Sequence, residues 1–310
     1  MGRYAVTGGA GFIGSHLVDA LLLQGHEVTV LDDFSTGKME YLNPAAHLIR
    51  GDVTDPEAVK EALKGSDGCF HLAAIASVQR GNEDWLTCHR VNQGGTVAVL
   101  DASRAAGGLP VVYASSAAIY GDTDGAVASE DRQPAPLTAY GMDKLGSELH
   151  ASIGWLVHQV PSFGCRFFNV YGPRQNPSSP YSGVVSIFID SAIAGRELTI
   201  NGDGEQVRDF IHIDDIVLRL LAAMNLLKRK RGAYLANFCT GQGTSILGLA
   251  KLVADLVPAP VRIRYAAARL GDIRYSVGKT DRANDLLGMQ DYVPLDLGLR
   301  HTLHSLMGDH

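Results

Sequence analysis

Cysteine is sparse in this chain: four residues, at positions 69, 88, 165 and 239, none in a CxxC pair or at metal-ligand spacing. That sets aside a disulfide framework and a thiolate metal centre. Buried free thiols in a reducing compartment are expected instead. No apolar stretch reaches membrane-spanning length, and no signal-peptide pattern precedes the first strand-like run, so no membrane contact and a cytoplasmic location are the expectations. An excess of basic residues is also missing. The net charge of −6 argues against a nucleic-acid polymer as partner, because phosphate backbones need a basic surface. The one basic run, Lys228 to Arg231, closes a helical pattern, where it complements the negative helix end. There is no internal repeat and no low-complexity tract. What is present, 310 residues with 46% hydrophobic and 19% charged, suits a soluble globular protein with a substantial core.

The most informative segment is TGGAGFIGSH at 7–16. A short apolar run, Tyr4 to Val6, meets glycines at Gly8, Gly11 and Gly14, with Phe12 and Ile13 between the last two. Helical spacing follows from Ser15 to Leu23. A strand that turns through glycines into a helix aims backbone N–H groups and the positive helix end at one point, which suits a pyrophosphate. Side chains at those glycines would obstruct phosphate or helix–sheet packing. A second apolar run, Val28 to Leu31, ends in Asp32, with Asp33 next. An acid at that strand tip can accept hydrogen bonds from ribose hydroxyls and repels a 2′-phosphate, so NAD is expected over NADP.

Strand and helix patterns then alternate. Strands are expected at 3–7, 27–32, 47–50, 68–73, 110–115 and 163–168, and helices at 12–25, 56–64, 82–106 and 140–158. Such alternation predicts an α/β fold, a doubly wound parallel sheet of the Rossmann type, with ligands bound at the carboxyl ends of its strands. Residues 1–170 are read as the NAD-binding domain and 171–310 as a smaller α/β substrate-binding domain, with segments of about 203–240 returning to the large sheet. In the second part helices are expected at 184–195, 213–228, 245–257 and 295–307, and strands at 197–200, 233–239 and 261–265.

The run Val111 to Gly121 reads as a strand ending in Ser115 and Ser116 at the ligand edge. Tyr140 and Lys144 follow at i and i+4, on one helix face. A lysine ammonium and a cationic nicotinamide would both favour the phenolate of Tyr140 and lower its pKa, making it a general base. Ser116 would hydrogen-bond the same substrate oxygen. Ser115 caps or lines the site.

These motifs, with GDVTD at 51–55, HLAA at 71–74, VNQGGT at 91–96, RFFNVYGPRQ at 166–175 and GDGEQVRDFIHIDD at 202–215, resemble the extended short-chain dehydrogenase/reductases. Within them the chain is most similar to the NAD-dependent sugar-nucleotide epimerase/dehydratase branch, nearly end to end. The resemblance implies that Asp52 and Val53 meet the adenine, that Leu72, Ala73 and Ala74 line the cofactor path, and that Asn92 and Phe168 also touch the cofactor. It implies Asn169 at the phosphate–sugar region of a UDP-sugar, Thr199, Ile200 and Asn201 at the uridine, and Arg208 at the diphosphate. Arg269 would bind diphosphate and Asp272 the uridine's ribose, in a closing clamp. A tightly held NAD and a homodimer built on helices near 82–106 and 140–158 are further implications.

The family's dehydratases and decarboxylases place an acid in the segment that here reads Ala117-Ala118, and its ketone-adjacent epimerase/reductase uses a cysteine near there. Neither is present. Oxidation and re-reduction at one carbon remains, and the resemblance implies that this is a 4-epimerisation of UDP-glucose/UDP-galactose. Ser276 matches the position beside the sugar's 2-substituent, where a small residue leaves room for an N-acetyl group; a slip of one residue would put Tyr275 there. Alternatives are an epimerase of a uronate or heptose nucleotide, a reductase with net redox, and a non-catalytic sensor. Two positions depart from the family pattern: Asp143 stands where serine is usual, and the helix is expected to turn it to solvent; Leu270 replaces a proline in the clamp. His301 and His304 share a helix face with no third ligand at recognisable spacing, so no metal is expected.

Overall fold

The computed structural model describes residues 1–76, 78–177, 183–268 and 272–308. Its centre is a seven-stranded, all-parallel sheet. In spatial order the strands are Ala233–Phe238, Ser162–Phe167, Val111–Ser116, Gly68–His71, Arg3–Thr7, Glu27–Asp32 and His47–Arg50. The chain winds outward in one direction from Arg3–Thr7 and then crosses back to Gly68–His71 on its other side. Between those two strands the connections diverge, opening a crevice at the carboxyl edge.

Both faces are covered, which is why the strands are near-continuous apolar runs without alternation. One face packs the helices Phe12–Leu23 and Ile213–Arg229 through Leu17, Leu21, Phe70, Leu220 and Phe238. The other packs Pro56–Leu63 and Gly95–Ala105 through Leu31, Leu63, Val99 and Val111. Each fully buried Leu, Val or Phe of this kind contributes roughly 1.5–3 kcal/mol. A third apolar cluster joins Val184–Ile193, Ile246–Ala254 and Leu295–Gly308 over the strands Leu198–Asn201 and Ile263–Ala266.

Two expectations change in detail. The helix expected at 82–106 is four pieces: Val78–Glu83, Trp85–His89, a π-helical turn Arg90–Gly94, and Gly95–Ala105. The first break falls where the Asp84 carboxylate accepts from the Thr87 amide and starts a new helix. Of the segments near 203–240, only Ala233–Phe238 enters the large sheet. Val207–His212 instead pairs with Asn169–Tyr171, Gly243–Ser245 and Tyr275–Ser276 in a separate small sheet. Asp209 anchors that sheet, its buried carboxylate accepting from the amides of Thr240, Gly241 and Gly278. All four cysteines are buried and free. Among the described residues, no helix is long and apolar enough to cross a membrane.

Candidate active site

A cavity of about 600 Å³ occupies the crevice. The glycine loop, Gly8 to Gly14, forms one wall. Gly8 has φ +72°, and a Cβ there would lie 2.7 Å from the Ala73 amide nitrogen. At Gly14 a Cβ would meet the Gly8 carbonyl oxygen at 2.1 Å. Gly11, the N-cap of the first helix, is different: an added Cβ would touch only the Gly8 oxygen, at 3.2 Å. Packing at 11 is tight without a clash, since the Gly8 oxygen would have to give by only a few tenths of an ångström. Its open side belongs to the cavity, a cradle that a side chain would fill and a phosphate fits.

Asp32 lies at the end of the same wall, its oxygens accepting from the amides of Ala10 (2.9 Å) and Phe34 (2.8 Å). Burial raises its pKa, while those amides favour the carboxylate. The lone pairs left over face the cavity with Asp33 and Asp52. Phe12, Ile13, Val53, Leu72, Ala73, Ala74 and Phe168 also line it. The residues therefore fit a dinucleotide: an open helix N-terminus, a close backbone, and an acid at the ribose end.

Asn92 does not line this cavity. It is 1% exposed and forms a two-way clamp with Ile75, accepting from the Ile75 amide (2.8 Å) and donating to its carbonyl (3.2 Å). The π turn aims it there, a common use of such turns beside functional sites. It shapes the wall that Ile75 presents. His71 is a second such support. It joins Thr7 (2.8 Å) and Thr96 (3.1 Å), and burial pushes its pKa down to about 3.

At the far end of the cavity stand Ser115, Ser116, Tyr140 and Lys144. Thr138 caps the helix Ala139–His158 by accepting from the Gly141 amide. The absent side chain at Gly141 lets that helix approach Ala118, whose carbonyl a Cβ would meet at 2.6 Å. This contact sets Tyr140 beside Ser116. Ser116 Oγ also accepts from the Ala118 amide, at 3.1 Å. The ammonium of Lys144 lies 5.8 Å from the Tyr140 ring centre and donates to the Ala114 carbonyl at 2.9 Å.

Burial pushes Lys144 down to about 8, against the charges of Asp143 and Glu148. Burial raises the pKa of Tyr140, and the hydrogen bond with Ser116 only partly offsets this. The protein's own groups hold a neutral phenol, so its ionisation depends on a further positive charge. Ser115 turns away to donate to Glu148 at 2.5 Å, and Glu148 forms a buried bidentate pair with Arg166 (2.9 and 2.7 Å).

Asn169 lines the cavity and donates to the Asp209 carbonyl at 3.2 Å. Phe210 lines it too, and two residues back on the same strand face is Arg208. Arg208 is ion-paired to Asp272 at 2.6 Å, and burial lowers its pKa. Ser276 is in register with Arg208. Thr199 accepts from Arg264 at 3.1 Å, and the Asn201 carbonyl accepts from Gln206 at 2.7 Å. The side chain of Ile200 is fully buried in the third apolar cluster and its backbone lies in the ladder with Ile263–Ala266, so this position does not offer the expected uridine contact. Arg269 and Leu270 lie outside the described residues.

Gln206 was not singled out from sequence. It is 6% exposed, donates to both Asn201 and Asp272, and keeps a buried oxygen without a partner. Arg80 and Arg90 of the lining were likewise missed, as no motif marks them, while Tyr171 and Gln175 lie within RFFNVYGPRQ without being singled out. His301 does find company, though not His304: ligand atoms of His212, Asp214 and His301 lie within 4.8 Å of one another. His212 Nδ1 accepts there from the Asp214 amide, capping Ile213–Arg229.

A doubly wound fold with a Ser/Tyr/Lys group at the nicotinamide end of a dinucleotide crevice defines an extended short-chain dehydrogenase/reductase. The chain belongs to the NAD dependent epimerase/dehydratase family, whose model matches residues 4–250. It is 36% identical, over 97% of both chains, to a UDP-glucose 4-epimerase of Mycolicibacterium smegmatis. Among solved structures it is similar to the UDP-glucose 4-epimerase of Thermotoga maritima with UDP-glucose, at TM-score 0.92 and 34% identity over 99% of each chain. It is also similar to a UDP-N-acetylglucosamine 4-epimerase of Methanobrevibacter ruminantium in complex with UDP-N-acetylmuramic acid, at TM-score 0.94 and 30% identity, covering 100% of this chain and 99% of the other.

Proposed function

We propose that the protein is an NAD-dependent 4-epimerase of UDP-hexoses. The observation that carries this reading is the distribution of acids in the cavity. Among the described lining residues the carboxylates are Asp32, Asp33 and Asp52, all at the adenosine end. The catalytic end has Ser116, Tyr140 and Lys144, with Ala117 and Ala118 next to the serine. An elimination or decarboxylation needs an additional acid or base near the sugar. Here one phenol performs all proton transfer, which suffices for removing and returning hydrogen at a single carbon.

NAD, when bound, supplies the hydride acceptor and donor and a positive charge beside the phenol. Tyr140 takes the proton of the sugar 4-hydroxyl, Ser116 holds the same oxygen, and Lys144 stabilises the phenolate. The 4-keto sugar turns its opposite face while its nucleotide stays anchored, and Tyr140 returns the proton. Arg208 and Asp272 are the proposed anchors, with Asn169, Thr199, Asn201 and Arg269. A guanidinium fork suits phosphate and a carboxylate suits ribose hydroxyls. Nucleotide binding energy offsets the looseness at the reacting end.

Ser276 supports acceptance of N-acetylhexosamines as well. It shares the register of Arg208, whereas the Tyr275 hydroxyl approaches Gly243. The protein is also proposed to be a homodimer in the cytoplasm. A stripe of Met142, Leu149, Ile153, Leu156 and Val157 lies exposed along Ala139–His158 at helical spacing.

The test is incubation with UDP-glucose, UDP-galactose, their N-acetyl counterparts and UDP-glucuronate without added NAD. The 4-epimers of at least the plain hexoses form, with no net NADH absorbance. Accumulation of NADH would instead establish a reductase. Tyr140→Phe abolishes conversion and leaves nucleotide binding intact by calorimetry.

A further inference from the structure

The residue before the catalytic lysine is a buried acid. Asp143 is 2% exposed rather than solvated, which overturns the expectation that its helix would turn it outward. The reason is a neighbour: His89, at the end of Trp85–His89, donates from Nδ1 to Asp143 Oδ1 at 2.8 Å. The second carboxylate oxygen, Oδ2, is buried without a hydrogen-bond partner. An acid left half-satisfied in a buried position costs stability, so its retention calls for an electrostatic reason.

Lys144 supplies one. Its ammonium is fully enclosed and its one hydrogen bond is to a neutral carbonyl, that of Ala114. Two acids act on it, Asp143 and Glu148. Glu148 is already neutralised by its bidentate pair with buried Arg166. Asp143, by contrast, is paired among the described residues only with the half-exposed His89.

We propose that Asp143 is a positioning residue for the reaction: held inward by His89, its carboxylate keeps the Lys144 ammonium charged beside Tyr140. This rests on the roles given above to Tyr140 and Lys144. The other charged groups around the helix do not serve in its place. From the sheet, His71 is neutral, and Arg166 is bound by Glu148 and by Tyr120. From Gly95–Ala105, Asp101 and Arg104 pair with each other at the surface. Arg80 and Glu83 on Val78–Glu83, Asp84 at its junction and Arg90 in the π turn remain unchanged in the variants below, so their contribution cancels in the comparison.

The experiment compares the NAD-bound wild type with Asp143→Asn, which keeps the shape and the His89 contact but lacks the charge, and with Asp143→Ser. Two quantities are read: the pH profile of kcat for UDP-galactose, and the titration of Lys144 by NMR of carbon-13 at lysine Cε, assigned by loss of the signal in Lys144→Arg. Both variants move the Lys144 midpoint and the alkaline limb of kcat down by about one pH unit, with KM within about twofold. Folded variants whose Lys144 midpoint and alkaline limb match wild type overturn the proposal. A shifted midpoint in a protein that converts no UDP-sugar supports the charge assignment and overturns the proposed activity instead. Should Asp143→Asn fail to fold, the serine variant decides by the same two readings.

Discussion

At the scale of single residues, three glycines in one loop have three different reasons to be glycine, and the difference is measurable. Gly14→Ala drives a methyl group into the Gly8 carbonyl and lowers stability by several kcal/mol, of the order seen for severe overpacking. Gly8→Ala combines a positive φ with a backbone clash and costs at least about 1–3 kcal/mol. Gly11→Ala meets no such obstacle. Its thermal midpoint stays near wild type while NAD affinity falls tenfold or more, because the methyl stands where phosphate belongs. Thermal unfolding together with NAD titration of the three variants distinguishes these outcomes. Their places were legible in the sequence, but their separate duties were not, because those depend on Ala73 and on the loop's own carbonyl. Tyr140 makes a similar point. Its spacing from Lys144 could be read directly, whereas its raised pKa follows from enclosure, which no spacing encodes.

Elements show where periodicity succeeds and where it stops. The strands of the large sheet were readable because burial on both faces leaves unbroken apolar runs between helices. The strands Asn169–Tyr171, Gly243–Ser245 and Tyr275–Ser276 are two or three residues long and exist only through partners far away in the chain. The π turn at Arg90–Gly94 was equally hidden: it makes Asn92 face Ile75 without altering the helical composition. On the helix Ala139–His158 the exposed apolar stripe yields a direct test. Leu149→Glu combined with Ile153→Lys converts the protein to a monomer in sedimentation at working concentration, with the far-ultraviolet spectrum preserved. A wild type that already sediments as a monomer removes the proposed dimer.

For the molecule as a whole, one buried imidazole contributes a defined part of the response to acid. His71 is held neutral with a pKa near 3, whereas its unfolded counterpart titrates near the ordinary 6.5. Between those values the unfolded chain binds the additional proton. The stabilising contribution is thus present above the unfolded value and is lost as pH falls toward the folded one, at about 1.4 kcal/mol per pH unit. Denaturant titrations between pH 6.5 and 4.5 show this slope, and His71→Gln flattens it by one proton. An unchanged slope in that variant assigns the acid sensitivity elsewhere.

The position of Ala233–Phe238 has a consequence for how the chain comes together. This strand closes one flank of the principal sheet, yet it lies some three-quarters of the way along the polypeptide. Until it has been synthesised, Ser162–Phe167 is a bare margin with unsatisfied backbone groups, open to pairing with another nascent chain. The large sheet begun by the first 170 residues is therefore completed late, by a strand from the C-terminal part, and the two parts mature together.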